Sequence, residues 1–124
     1  MMKVAISDAH AVTRAGVRSE LESDSEFEVV GEGVDGDSTI ALVRTTGAHV
    51  LTLDVSMPGV HGIELITQLR NEKSSLRILV LTMHSEAIYA VRPFKAGAPG
   101  FLTKPRLRSD LTNAIRKVAS GRFT

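Results

Sequence analysis

The chain has no cysteine. Disulfides and thiolate metal sites are therefore excluded, and a reducing cytosol is the natural compartment. Long apolar runs are lacking as well. The most apolar stretch, Ile78 to Met83, is far too short to span a bilayer. The N-terminus, Met1-Met2-Lys3 and then Val-Ala-Ile-Ser-Asp, lacks the longer apolar region and cleavage site of a signal peptide. It reads as a strand running into a carboxylate. No internal repeat, linker or low-complexity segment is found, and a net charge of +1 gives no nucleic-acid footprint. A soluble, cytoplasmic protein is expected.

What is present suits one compact domain. The chain has 124 residues, 43% of them apolar, enough to bury a full core. Charge is unevenly spread. Residues 1–64 hold 4 Lys/Arg against 11 Asp/Glu, and residues 65–124 hold 11 Lys/Arg against 3 Asp/Glu. The second half thus offers a basic face to a partner or an attached domain, or simply a dipolar solvated surface.

Apolar strands alternate with helical patterns along the whole chain. Strands are expected at Val4–Ser7, Phe27–Gly31, Val50–Leu53, Ile78–Leu81 and Gly100–Thr103. Helical patterns run from His10 to Ser23, with Val12, Ala15 and Leu21 inward, and from Asp37 to Thr45 through Ile40, Leu42 and Val43. A third runs from Gly62 to Asn71, with Ile63, Leu65, Ile66 and Leu69 inward. A fourth spans Glu86 to Ala96, where Pro93 predicts a kink or a shortened helix and Gly97 a stop. In the last, Leu107, Leu111, Ile115 and Val118 make an apolar stripe. Met57-Pro58-Gly59 signals a turn. Five βα units with strands buried on both faces imply an α/β fold, a doubly wound parallel sheet covered by helices. In such folds the site lies at the carboxyl ends of the strands.

Four polar residues gather at that edge. Asp8 ends the first strand, Asp54 the third, Thr82 the fourth and Lys104 the fifth. Each alone is ordinary: a helix cap, a turn hydroxyl, a loop lysine. Together they suit phosphoryl transfer to a carboxylate. Asp54 is the candidate nucleophile, forming an aspartyl phosphate. Mg²⁺ would relieve the like-charge repulsion, held by Asp8 directly or through water, by Asp54, and by a backbone carbonyl such as that of Ser56. Lys104 is a point cation for phosphoryl oxygens, and Thr82 a hydroxyl donor to them. The histidines His10, His49, His61 and His84 lie on different segments without ligand spacing and predict no transition-metal site. His84 lies two residues beyond Thr82, near the crevice mouth, and Arg14 reads as a surface helix residue.

Asp54-Val55-Ser56-Met57-Pro58-Gly59 with Gly62 resembles the phosphoacceptor strand and loop of response-regulator receiver domains. Val80-Leu81-Thr82 and Ala96-Gly97-Ala98-Pro99-Gly100-Phe101-Leu102-Thr103-Lys104 resemble their fourth and fifth strands. Finer features are similar to the LuxR/FixJ-type transcriptional subfamily. These are Asp8-Ala9-His10-Ala11 with Arg14 and Gly16, Val30-Gly31-Glu32 with Gly36, Leu81-Thr82-Met83-His84, and Ala114 to Gly121. The resemblance covers nearly the whole chain. It implies a flavodoxin-like sheet of order 2-1-3-4-5, a sensor histidine kinase as partner, and a C-terminal helix-turn-helix output domain in the parent protein. DNA would be bound only through that domain, which residues 1–124 do not include. It further implies a switch in which Thr82 senses the phosphate and Phe101 fills the space it vacates. Homodimers through the first and last helices are expected, Glu20 and Glu22 on one being complementary to Arg106, Arg108, Arg116 and Lys117 on or before the other, or else these are ordinary surface charges.

One departure stands out. The family places two adjacent acids after the first strand, and here the second is Ala9. The direct metal contact falls mainly to that second acid, so a weakened Mg²⁺ site is expected. The rival reading is a pseudo-receiver, a phosphate-independent dimerisation or docking module. An aspartyl-phosphate phosphatase of the haloacid dehalogenase type needs an acid two residues after the nucleophile, where Ser56 stands. A flavodoxin-like cofactor carrier needs a phosphate-cradling loop after the first strand, and Asp8-Ala9-His10 has the wrong sign for one.

Overall fold

The structure is a computed structural model and describes residues 1–54, 62–82 and 100–120. Five parallel strands form one sheet: β1 (Met2–Ser7), β2 (Phe27–Gly33), β3 (Val50–Asp54), β4 (Arg77–Thr82) and β5 (Gly100–Thr103). Their order is β2-β1-β3-β4-β5, as the resemblance implies. The described helices are α1 (Ala11–Glu22), α2 (Gly36–Thr46), α3 (Gly62–Glu72) and α4 (Leu107–Ala119). The segment Glu86–Ala96 with Pro93, the Met57-Pro58-Gly59 turn, Ser56, His61 and His84 lie outside the described residues, as does the side chain of Ile63.

Alternation along the strands builds two cores. Val4, Ile6, Val50, Leu79, Leu81 and Leu102 face α1 and α4, where they meet Val17, Leu21, Leu111 and Ile115. Ala5, Leu51, Leu53, Ile78 and Val80 face α2 and α3, where they meet Val43, Leu65, Ile66 and Leu69. The central strand β3 is buried throughout, which is why its sequence reads as a continuous run rather than an alternation. Each fully buried leucine or isoleucine there contributes about 1.5–3 kcal/mol.

Helix ends follow local chemistry. Asp35 caps α2: its carboxylate accepts from the Ser38 amide at 2.8 Å, while Ser38 Oγ accepts from the Asp35 amide at 3.1 Å. Gly47 closes the same helix with φ of 66°, a left-handed conformation in which glycine carries no Cβ penalty. In α4 the predicted stripe holds, with Leu107, Leu111, Ile115 and Val118 all buried. The predicted inner face of α1 is corrected. Val17 and Leu21 are buried, whereas Val12 is 85% exposed and Ala15 is also exposed. At ~100° per residue Val12 lies about 180° around the helix from Leu21. The helix is phased by Val17 and Leu21, which turns Arg14 rather than Val12 toward the sheet.

Candidate functional site

The first two strands that matter here deliver acids to one edge. Asp8 follows β1 directly and is 1% exposed; Asp54 is the last residue of β3 and is 2% exposed. β5 runs into a 3-10 turn, Lys104–Arg106, whose Pro105 restricts the backbone just after Lys104. The turn aims the Lys104 ammonium between the two acids. It donates to Asp54 Oδ2 at 3.2 Å and lies 2.8 Å from Asp8 Oδ2. The second contact is ionic but off the hydrogen-bonding directions, and Asp8 Oδ2 accepts no hydrogen bond among the described residues. Two buried carboxylates thus share one ammonium. Asp8, Asp54 and Lys104 converge as the sequence predicts. Thr82 ends the neighbouring strand β4 and is buried. Phe101 stands on β5 opposite Val80 and packs, partly buried, against the α2–α3 core.

The loop after β1 is tightly braced. The Asp8 amide donates to the Gly33 carbonyl at 3.1 Å. The Arg14 guanidinium donates to the Asp8 carbonyl at 2.7 Å through one nitrogen and to Glu32 at 2.9 Å through Nε. Arg18 donates to the other Glu32 oxygen at 2.7 Å. Burial pushes the Glu32 carboxyl up, but hydrogen bonds from Arg18 and Arg14 outweigh it and hold the group below the usual glutamate range. Hydrogen bonding to Glu32 likewise raises Arg18.

Two residues near the crevice differ from their sequence reading. Arg14 is no mere surface residue: its side chain is 17% exposed and holds the Asp8 peptide. The available signal was its place one turn into a helix that begins just after the acid. His10 is likewise drawn to Asp8. Its amide donates to Asp8 Oδ1 at 2.8 Å, and its Nδ1 lies 3.2 Å from the same oxygen. Asp8, His10 and Asp54 each offer a ligand atom within 4.8 Å of the others. The Asp-x-His spacing, an Asx turn, was the legible cue.

The helix faces expected to meet a second copy carry charges already engaged within one chain. Arg116 reaches Asp24 at 2.7 Å and Glu26 at 2.9 Å, Arg108 stands 3.7 Å from Glu20, and Glu22 meets Arg18 at 3.2 Å. Among the described residues no helix is long and apolar enough to cross a membrane.

Acids after β1 and β3 with a lysine beyond β5, on a sheet of order 2-1-3-4-5, define a receiver-type signalling domain. Residues 4–116 match the family model for the response regulator receiver domain, and the chain belongs to that family. It is similar to the response regulator UvrY of Escherichia coli K12, 35% identical over 121 residues, which cover 98% of this chain and 56% of UvrY. The chain spans about half the length of the curated relatives it matches. It is similar in structure to the non-phosphorylated receiver domain of the stress response regulator RcsB from Escherichia coli. The TM-score is 0.89 at 33% identity, covering 98% of this chain and 95% of that one. A LuxR-family two-component response regulator from Aurantimonas sp. SI85-9A1 gives a TM-score of 0.87 at 32% identity, covering 98% of this chain and 86% of that one. These relatives are response regulators, signalling proteins rather than turnover enzymes, and the chain is a receiver of their LuxR-type group.

Proposed function

We propose that residues 1–124 form one receiver domain that accepts a phosphoryl group on Asp54 from a histidine kinase. The observation that carries the reading is the convergence of Asp8, Asp54 and Lys104 in a buried crevice at the carboxyl edge of the sheet. An Asp54 oxygen attacks the phosphorus, the bond from phosphorus to the donor breaks, and the leaving group departs with the electron pair. Lys104 then exchanges its carboxylate contact for phosphoryl oxygens, and Thr82 donates its hydroxyl to them. Thr82 and Phe101 form the two-state packing element that reports the change.

The residues fit a divalent cation, because the buried Asp8 carboxylate keeps beside Asp54 an oxygen that, among the described residues, accepts no hydrogen bond and has only the Lys104 ammonium near it. Asp8, Asp54 and the Ser56 carbonyl are the proposed ligands for Mg²⁺. When bound, the cation neutralises the repulsion between carboxylate and phosphoryl group. In the parent protein the switch regulates transcription in the cytoplasm through a C-terminal DNA-binding domain, with homodimers through α1 and α4. Val12, exposed on α1, supplies an apolar point for such a seam.

A second reading, the phosphate-independent docking module, is favoured by one observation. Ala9 removes an acid, and the Lys104 ammonium already bridges the two that remain. Intact mass after incubation with acetyl phosphate across a Mg²⁺ series decides between them. The switch predicts a single phosphoryl adduct, lost in Asp54→Ala. No adduct at any Mg²⁺ concentration, from a folded domain, refutes the switch and favours the docking module.

A further inference from the structure

We infer that His10 is a third ligand in the crevice and makes it a site for borderline divalent cations such as Co²⁺, Ni²⁺ or Zn²⁺, bound by Asp8, Asp54 and the His10 imidazole. The inference rests on reading the crevice as a cation site, and it names which cations the site takes.

Geometry is the first support. His10 Nδ1 stands 3.2 Å from Asp8 Oδ1, and one atom from each of Asp8, His10 and Asp54 lies within 4.8 Å of the other two. Ligands bound at ~2.0–2.2 Å stand roughly 3–4 Å apart around an ion, so modest closure completes the set. The Asp8–His10 turn is fixed by the His10 amide donating to Asp8 Oδ1 at 2.8 Å. The imidazole itself is 70% exposed, free to turn a nitrogen inward without disturbing the core. A second, independent support is Asp8 Oδ2. This carboxylate is 2% exposed, yet Oδ2 accepts no hydrogen bond among the described residues and meets only the off-axis Lys104 ammonium at 2.8 Å. A buried carboxylate oxygen left in that state suits a metal ion.

Ligand chemistry then selects the ion. Among the described residues two carboxylates and one ammonium leave a single net negative charge, and Ala9 adds none. That is a poor set for Mg²⁺, which dehydrates reluctantly and wants oxygen ligands. An imidazole nitrogen adds little for Mg²⁺ but contributes directly to Co²⁺, Ni²⁺ and Zn²⁺. His10 thus replaces, with a softer donor, the acid that Ala9 lacks.

The test is calorimetric titration of the 124-residue chain with Co²⁺ and with Mg²⁺, without a phosphoryl donor, alongside the visible spectrum of bound Co²⁺. One Co²⁺ site is expected, abolished in Asp54→Asn. His10→Ala weakens Co²⁺ by at least about tenfold, since even losing an outer partner of a metal ligand costs that much. It shifts Mg²⁺ affinity far less than Co²⁺ affinity, and His49→Ala, an exposed control, changes neither. No Co²⁺ binding, Co²⁺ binding that survives Asp54→Asn, or equal Co²⁺ affinity in His10→Ala each overturns the inference. The acetyl phosphate experiment is read separately. An adduct with His10-independent Co²⁺ binding sinks this inference alone, and His10-dependent Co²⁺ binding without an adduct sinks the phosphoacceptor reading alone.

Discussion

Two glycines on β2 pack against α2, and the structure predicts opposite fates for them. A Cβ on Gly33 stands 2.7 Å from Thr39 Oγ1, 2.9 Å from Ser7 Oγ and 3.2 Å from the Thr39 Cα. Those hydroxyls are bonded to each other at 2.8 Å and buried, and the backbone of α2 cannot yield as a side-chain tip can. Gly33→Ala therefore wedges α2 from the sheet or breaks the Thr39–Ser7 bond, at a cost of about 2–3 kcal/mol. A Cβ on Gly31 overlaps only the Leu42 Cδ1 methyl, with the next atom at 3.8 Å. Leu42 is only partly buried and can change rotamer, while losing a glycine from a strand gains about 0.5–1 kcal/mol. Gly31→Ala should be near neutral. Urea unfolding followed by far-UV circular dichroism reads both, and for 124 residues each kcal/mol is worth roughly 4 °C in Tm. Gly33→Ala should melt about 8–12 °C lower. A Gly33→Ala domain as stable as Gly31→Ala would refute the argument that backbone and hydroxyl neighbours, unlike a leucine tip, cannot give way.

Further outcomes are expected at other positions. Lys104→Met leaves two buried carboxylates without their ammonium and should destabilise by roughly 3–5 kcal/mol in denaturant titration, with added divalent cation restoring part of the loss. Thr52 Oγ1 is buried without a hydrogen bond among the described residues, so the near-isosteric Thr52→Val should stabilise by about 1–3 kcal/mol in the same assay. Arg14→Leu removes a charge-assisted bond to the Asp8 carbonyl and should cost about 1.5–3 kcal/mol while slowing adduct formation in the mass assay. The Ser38 amide and then its hydroxyl hold the Asp35 carboxyl below the usual aspartate range. A depressed folded-state pKa contributes stability above the unfolded value, lost as pH falls through the folded one. Asp35→Ala should therefore melt below the parent at neutral pH, and the gap should close as the solution is taken below about pH 4.

The strands, the described helices and three of the site residues were legible because they depend on period and on strand ends, whereas the strand order came from the family resemblance. The run Val50 to Asp54 announces a fully buried strand and the acid at its tip, and the α4 stripe repeats cleanly. The phase of α1 was not legible. Val12 is as apolar as Val17, and only the sheet and α4 against which α1 packs decide which side turns inward. Arg14 and His10 were missed for a related reason. Each acts on the Asp8 backbone or carboxylate through geometry that a residue type does not announce. Ala9 was visible in the sequence, but the ammonium bridging two carboxylates was not, because it depends on the turn that carries Lys104.

The ion pairs between the early and late parts of the chain have a consequence for synthesis. Arg116 clasps Asp24 and Glu26 and lies over the Phe27 ring, with its guanidinium carbon 5.4 Å from the ring centre. A ribosome delivers Asp24 and Glu26 long before Arg116 exists. Until residue 116 emerges, Asp24 and Glu26 lack this partner and the Phe27 ring lacks its guanidinium cover. The last helix is therefore the latch of the domain, and a nascent chain halted before it should hold its early strands only loosely, open to proteases that the finished domain resists.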